Sequence, residues 1–245
     1  MRFTLPNWLL LPGLVLSIVV LVGLGWWQWS RHLDAQAVEE RYDERLALPA
    51  QRIESASDAS GVDLDFRRVT LVGTWDAEHA MTIVSRVRAS RLGEEMVEPL
   101  VLADGTAVLV NRGWYPLEER DATRAALLAD STASLDGLAR LEVGRGRLNS
   151  NGDWSGFDVD AMASTLPYEV ASWGVIAGSE NSNATGANGP YPLTGWERFA
   201  NTIPHVQYAL TWWGLAAAFV AMVVVRARAR ASSSTESRSD PRAAL

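Results

Sequence analysis

The sequence predicts a membrane protein in which two transmembrane helices flank a β-rich extracytoplasmic domain, with an antiparallel, barrel-like α+β fold. Three observations predict this class. An uncharged apolar run of roughly 20 residues lies near each end of the 245-residue chain. Between the runs, β-branched segments alternate with turn residues. Residues 31–205 carry 16 Arg against 27 Asp and Glu, a net charge of −11, whereas the two ends carry 6 Arg against 2 acidic residues, a net charge of +4.

The first apolar run, residues 9–29, predicts a helix that crosses the membrane after a short cytoplasmic N-terminus, residues 1–8. The run has no charged residue and ends in a tryptophan cluster, as is typical of a helix end at the membrane surface. The alternative interpretation is a signal peptide, because Ala35, Gln36 and Ala37 form an A-x-A cleavage pattern. A signal-peptide core spans only roughly 7 to 15 residues, so a retained span is preferred.

The second apolar run, residues 206–225, ends at Arg226, Arg228 and Arg230. Because arginines next to a span resist translocation, both termini are predicted in the cytoplasm and the acidic domain outside. All 22 basic residues are arginine, as is typical of a high-GC bacterium, so we expect a multi-pass protein of the bacterial plasma membrane. The Ser-, Arg- and Pro-rich tail, residues 226–245, is predicted to be disordered.

The region between the spans, residues 30–205, is predicted to form one soluble domain. Strands are predicted at 66–75, 81–87, 96–102, 107–114, 138–148 and 169–177, and helices at 33–51, 118–128 and 158–166. The clearest local signal is Asp104-Gly105 between two apolar strands, which predicts a hairpin. Short turns between consecutive strands favour an antiparallel barrel or curled sheet. Residues 178–195 are predicted to be a flexible loop.

Several function classes are excluded or disfavoured by what the chain lacks. It has no cysteine, which excludes disulfides and thiolate metal sites. The sequence contains no GxSxG, P-loop or HExxH motif, so we do not expect an enzyme. The acidic balance argues against nucleic-acid binding. Asp158 and Asp160 resemble a carboxylate pair, but the preferred interpretation is a helix cap with a solvated neighbour.

Residues suited to a haem-like ligand lie at the outer ends of the two spans. His205, Tyr208 and Trp212 share one face of the second span at helical spacing. At the corresponding depth the first span presents Trp27 and Arg31 on one face, with Gln28 beside them. An imidazole suits iron, flat aromatic side chains suit a porphyrin, and an arginine suits a propionate. The alternative interpretation is an ordinary aromatic belt at the headgroup level.

Four motifs occur in order along the chain. They are G-x-W-Q-x-x-R at residues 25–31, R-x-V-x-x-x-G at 67–73, L-V-N-R-G-W-x-P at 109–116, and a final motif with Asn201, His205, Gln207, Tyr208, Ala209, Thr211 and Trp212. In these motifs the chain resembles the Surfeit locus (SURF) family of cytochrome c oxidase assembly factors. The resemblance covers residues 25–213. Two departures are a wider gap between Asn201 and His205, and Asp34 or Ala35 where a basic residue is common.

The resemblance implies a maturation factor that assists delivery of haem a to the catalytic subunit of haem-copper cytochrome c oxidase. Haem a is then a transient cofactor with His205 as ligand to the metal, and Arg112 joins the six residues above as a cofactor-binding candidate. The expected partners are the catalytic subunit, haem a synthase and membrane lipid. The alternative from another class is a structural scaffold of the oxidase or a respiratory supercomplex that binds no haem.

The third motif also has an interpretation from its residues alone. Asn111 to Gly113 follow an apolar strand, so Gly113 predicts a β-bulge that turns Arg112 across the sheet or toward the membrane. We expect Gly113 and Trp114 to serve packing, because glycine and aromatic positions in strands usually do. Gly73 is expected to be structural for the same reason.

Overall fold

The computed structural model describes residues 7–141, 144–180, 190–198 and 203–236. The chain forms two compact units: a helical unit, Met1–Glu39 with Ala200–Leu245, and a β-rich unit, Glu40–Phe199. The described residues contain four α-helices: α1 (Asn7–Ala47), α2 (Arg120–Leu128), α3 (Val159–Ala163) and α4 (His205–Glu236). They contain seven strands: β1 (Gln51–Ile53), β2 (Arg68–Trp75), β3 (Met81–Arg88), β4 (Arg91–Val101), β5 (Ala107–Pro116), β6 (Thr132–Arg140) and β7 (Val170–Ala177).

The helices of the helical unit, α1 and α4, are long and apolar enough to cross a membrane. Their most apolar segments have a mean hydropathy of 1.5 and 1.9, yet only 6% and 11% of these segments are buried. Apolar side chains on an unburied helix need an apolar surrounding, which suggests membrane association. Helix α4 continues through Glu236, so residues 226–236, predicted to be disordered, are helical. The remainder of the predicted disordered tail lies outside the described residues.

A closed five-stranded barrel forms the centre of the β-rich unit. The sheet order is β1-β2-β6-β7-β5-β4-β3, and an additional pairing of β2 with β4 closes the ring. The closing pairs are Thr74 with Val101 and Trp75 with Leu100. Beside them, a Cβ on Gly73 would lie 2.5 Å from the Val101 carbonyl oxygen, so the glycine permits the close approach of the two strands. The structural role expected of Gly73 is confirmed.

Two hydrophobic clusters cover the two faces of this sheet. The cluster inside the barrel is formed by fully buried side chains such as Leu71, Leu100 and Val110. A second cluster, which includes Val97 and Leu109, packs under α3. Because side chains alternate along a strand, Leu109 and Val110 of β5 enter different clusters. Strand β5 is buried along its whole length.

Most of the predicted strands are confirmed, and the hairpin at Asp104-Gly105 is confirmed by Gly105 at φ +87° between β4 and β5. The strand predicted at 138–148 is wrong, because β6 lies at Thr132–Arg140. The outward-facing positions of β6 are polar, so the sequence there lacks the apolar residues on which a strand prediction depends. The three-residue β1 was not predicted, and the helix predicted to residue 51 ends at Ala47, before Pro49.

The sheet contains parallel as well as antiparallel strand pairs, whereas an antiparallel sheet was predicted. Strand β5 pairs with β7 in parallel, as does β1 with β2, whereas the other pairs are antiparallel. The crossover that joins β5 to β7 contains α2, β6 and α3, long enough to return the chain to the same end of the sheet. Of the loop predicted at 178–195, residues 181–189 lie outside the described residues, and Leu193 pairs with Trp114.

Candidate functional site

The two helices of the helical unit meet through a polar contact between His205 and Gln28. His205 is the first residue of α4, and its Nδ1 lies 2.8 Å from Oε1 of Gln28 on α1. An amide oxygen accepts a hydrogen bond but cannot donate one, so the imidazole donates through Nδ1–H. In the neutral imidazole the second ring nitrogen, Nε2, then keeps its lone pair. This is the tautomer in which a histidine coordinates a metal through Nε2.

Next to this contact, a tryptophan of α4 packs directly on the backbone of α1. A Cβ on Gly25 would collide with Nε1 of Trp213. The same Nε1–H donates to the Val22 carbonyl oxygen at 3.4 Å, and the ring centroids of Trp29 and Trp213 are 6.1 Å apart. Gly25 of the first motif therefore allows the tryptophan to approach the helix axis. This packing fixes the helices next to His205 and Gln28.

The other candidates on the helices leave much of their surface exposed. Trp27 is 51% exposed and Tyr208 is 49% exposed, whereas Trp212 is half-buried. The side chain of Arg31 is 58% exposed and has Asp34 at 3.9 Å, too long for a strong ion pair. The structure brings Gln28 and His205 together and leaves aromatic faces and a guanidinium near the same helix ends.

Arg112 belongs to the β-rich unit, where its guanidinium is bound within the protein. It donates to Glu98 at 2.7 Å, to the Leu127 carbonyl oxygen at 2.8 Å and to Asp130 at 2.7 Å. Its charge also lies over the ring of Trp75, 4.3 Å from the centroid. The side chain is only 9% exposed. Of the two orientations predicted for Arg112, the structure shows the one across the sheet.

The carboxylate that pairs with Arg112 is fully buried. Burial raises the pKa of Glu98, and the hydrogen bond and charge of Arg112 oppose that rise. One oxygen of Glu98, Oε1, has no hydrogen-bond partner among the described residues. Removal of Arg112 would therefore leave a buried charge without compensation, the most costly way to break such a pair.

The bulge predicted at Gly113 is confirmed. Gly113 opposes Met96 and Asn111 opposes Val97, so Arg112 is the extra residue of β5. Gly113 has φ +115°, and a Cβ there would lie 2.6 Å from the Leu193 carbonyl oxygen. The packing role of Trp114 is confirmed too, because its ring is fully buried and its Nε1–H donates to the Arg86 carbonyl oxygen at 3.0 Å.

The two aspartates that resembled a catalytic pair have the structural role preferred from the sequence. The Asp158 carboxylate caps α3 by accepting from the Ala161 N–H at 3.1 Å, and it also accepts from the Gly146 N–H at 3.0 Å. These two backbone donors lower the pKa of Asp158. Asp160 lies exposed in the first turn of the helix.

Sequence reasoning missed the tryptophan packing and found only part of the polar contact. The sequence predicted Trp29 and Trp213 only as members of an aromatic belt. Their contact could have been indicated only by the position of Gly25 opposite a tryptophan of the facing helix.

Among the described residues, no group of three His, Asp or Glu side chains is placed to hold a metal ion. Iron held by His205 would therefore need most of its ligands from a porphyrin. Asn201 of the final motif lies outside the described residues.

Together, these features define a class of protein: two apolar helices that suggest membrane association, a histidine oriented by a glutamine between them, and a closed five-stranded barrel inserted in sequence between the helices. The family follows from a direct comparison. The SURF1 family model matches residues 15–217, and the chain belongs to that family.

Relatives from distant organisms agree with the family. The SURF1-like protein of Dictyostelium discoideum is 27% identical over 81% of this chain and 89% of its own length. Surfeit locus protein 1 of Takifugu rubripes is 28% identical over 80% of this chain and 88% of its own length. Surfeit locus protein 1 of Homo sapiens is 29% identical over 84% of this chain and 73% of its own length. These alignments extend well beyond any single motif.

Proposed function

We propose that this protein is an assembly factor for haem-copper cytochrome c oxidase that assists delivery of haem a to the catalytic subunit. SURF1 family membership supports the general role, since the family is known for oxidase assembly. The two apolar helices support a site at a membrane, where both the oxidase and its haem reside. The catalytic subunit, haem a synthase and lipid are the proposed partners.

The observation that carries the haem assignment is the hydrogen bond between His205 and Gln28. Histidines that bind metals nearly always donate their other ring N–H to a neighbouring acceptor, which fixes the tautomer and the ring orientation. Here the 2.8 Å contact from Nδ1 to Oε1 has that form and leaves Nε2 available.

The residues around His205 fit a porphyrin in chemical type. Trp27 and Tyr208 are each about half exposed, so they offer aromatic surface to a flat apolar ring. Arg31 offers an exposed guanidinium to a propionate. The haem itself would supply iron with an axial position open to an imidazole. Gln28 orients the imidazole, and Trp212 adds apolar surface to α4.

We further propose that both termini are cytoplasmic and that the β-rich unit is extracytoplasmic, in a bacterial plasma membrane. Arg226 and Arg228, next to the apolar part of α4, support this orientation, because arginines beside a span are retained on the cytoplasmic side. A reporter active only in the cytoplasm, fused after Leu245, should be active. Activity of an export-dependent reporter at the same position would contradict the orientation.

The test of the haem role is the absorption spectrum of the full chain purified in detergent from cells that make haem a. The proposal predicts a Soret band in stoichiometric proportion to the protein, with the spectrum of a histidine-ligated haem. The scaffold hypothesis predicts protein that supports oxidase assembly and carries no haem. A haem-free protein that remains haem-free after incubation with haem a would reject the proposed site.

A further inference from the structure

One face of α1 packs against α4 in the helical unit. It contains four residues at the spacing i, i+3, i+4 and i+7 of a single helix face: Gly25, Gln28, Trp29 and His32. All four are buried or half-buried, whereas the neighbouring Leu33 is 49% exposed. The burial pattern therefore places His32 on the same side of α1 as Gln28.

The first three residues of this face each contact α4. Gly25 lies against the ring of Trp213. The ring centroid of Trp29 is 6.1 Å from that of Trp213, at an interplanar angle of 40°. Gln28 accepts the hydrogen bond from His205, the first residue of α4. Because later residues of α1 meet earlier residues of α4, the two helices are antiparallel, and the face continues toward the start of α4.

His32 is the fourth residue of this face. It lies one turn, about 6 Å along the helix axis, beyond Gln28. That step leads toward the start of α4, where His205 lies. The two imidazoles are therefore both placed next to the same glutamine, at the same end of the helix pair. The third histidine of the chain, His79, belongs to the β-rich unit.

The ring of His32 packs on Trp29 and has both of its nitrogens available to a ligand. The two ring centroids are 5.6 Å apart, at an interplanar angle of 56°. In the part of the chain that the structure describes, neither ring nitrogen has a hydrogen-bond partner. His205 differs in this respect, because Gln28 orients its ring.

We propose that His32 is the second axial ligand of the haem iron, an assignment that rests on the proposed function in which His205 is the first. A haem iron can take one axial ligand on each face of the porphyrin, and its nitrogen or sulfur ligands come from His, Met or Cys. The chain has no cysteine. Met222, the methionine in the described part of the helical unit, lies about 25 Å from His205 along α4.

The two ligands are unequal, which suits a carrier that must release its haem. A hydrogen-bond acceptor at the second ring nitrogen strengthens a histidine ligand, and loss of that acceptor costs about 10–100-fold in metal affinity. His205 has such an acceptor, whereas His32 has none among the described residues. His32 is therefore the ligand that dissociates first when the haem is passed on.

The test is electron paramagnetic resonance of the ferric protein, with the full chain purified in detergent from cells that make haem a. The wild type should show the low-spin signal of iron with two imidazole ligands. His32→Ala should retain haem through His205 and change to a high-spin signal. Free imidazole should then restore the low-spin signal, because it fills the open axial position. A side chain that served only packing would not be replaced in this way.

His79→Ala is the matched control, since it removes the one histidine of the β-rich unit and should keep the low-spin signal. Three results would overturn the assignment of His32 and leave the role of His205 standing: a high-spin wild type, a low-spin His32→Ala protein, or haem loss from His32→Ala that imidazole does not reverse. A wild type without haem would reject the proposed function itself, and this assignment with it.

Discussion

Arg112 of the β-rich unit and Arg31 of the helical unit both belong to motifs of the same family, yet their surroundings differ sharply. The Arg112 side chain is 9% exposed and binds two carboxylates and a carbonyl oxygen. The Arg31 side chain is 58% exposed and has one distant acidic neighbour. Of these two motif arginines, Arg112 therefore serves the fold of its unit, whereas the side chain of Arg31 is left exposed.

Arg112→Ala should cause the largest loss of stability. It would leave the fully buried Glu98 without its cation, a change that costs about 3–5 kcal/mol in the free energy of unfolding. Urea unfolding of the full chain in detergent, followed by tryptophan fluorescence, measures the loss. Arg68→Ala, on the exposed side of β2, is the matched control and should change stability by less than about 0.5 kcal/mol. Equal effects of the two substitutions would show that Arg112 is not structural.

The pH dependence of that loss follows from Glu98. Burial raises the pKa of this carboxyl in the folded protein, and Arg112 opposes the rise. A carboxyl whose pKa is higher in the folded state than in the unfolded state binds its proton more tightly when the protein is folded. The folded state therefore gains stability as the pH falls through this raised pKa. The cost of Arg112→Ala should therefore shrink at acidic pH as Glu98 becomes protonated. A cost that is constant from pH 7 to pH 4 would argue against Glu98 as the source.

Gly113→Val should be the next most destabilising change. The φ of +115° is closed to β-branched residues, and the new Cβ would approach the Leu193 carbonyl oxygen. We expect a cost of about 3 kcal/mol, at the upper end for a single strained residue. Glu118→Ala is the control, since that side chain is 70% exposed and its ion pair with Arg91 is a surface contact. Equal melting temperatures for the two variants would contradict the structural role of the glycine.

Asp158→Ala should cost about 1 kcal/mol at pH 7, the usual value of a helix cap, whereas Asp160→Ala should have little effect. Hydrogen bonds from the Gly146 and Ala161 N–H groups lower the pKa of Asp158. The stability it provides is therefore present above the unfolded pKa, about 3.9, and is lost as the pH falls through the lower folded value. Thermal melts across this range should show the wild type and the Asp158 variant converging as the pH falls below the folded pKa.

Arg31→Ala should have the smallest effect of these substitutions. We expect it to lower the affinity for haem and to leave the stability of the protein unchanged. An exposed guanidinium contributes about 1 kcal/mol at most to an ion pair, so haem should bind no more than about fivefold less tightly. Titration of haem into the apo-protein measures this change. A loss of stability as large as that of Arg112→Ala would remove the distinction between the two arginines.

The sequence predicted the features that depend on nearby residues. The Asp104-Gly105 hairpin, the Asp158 cap and the Gly113 bulge each follow from one or two residues whose backbone or hydrogen-bonding preference is strong. The contact of Gln28 with His205 was anticipated only in part, because helical spacing places each residue on a face of its helix but does not show which faces meet.

Features that depend on distant parts of the chain could not be predicted in the same way. Strand β6 has polar residues such as Thr132 and Ser134 on its outer positions, and its pairing with β2 and β7 makes it a strand. Gly25 acquires its role only when Trp213 of the facing helix is known.

The most direct test of the account is to measure haem content and melting temperature on the same sample of His205→Ala. The account predicts that haem is lost and oxidase maturation falls, while the melting temperature of the β-rich unit stays that of the wild type. His205 lies in the helical unit, where its side chain contacts Gln28. A variant that keeps full haem content and normal oxidase activity would contradict the ligand role and favour the scaffold hypothesis.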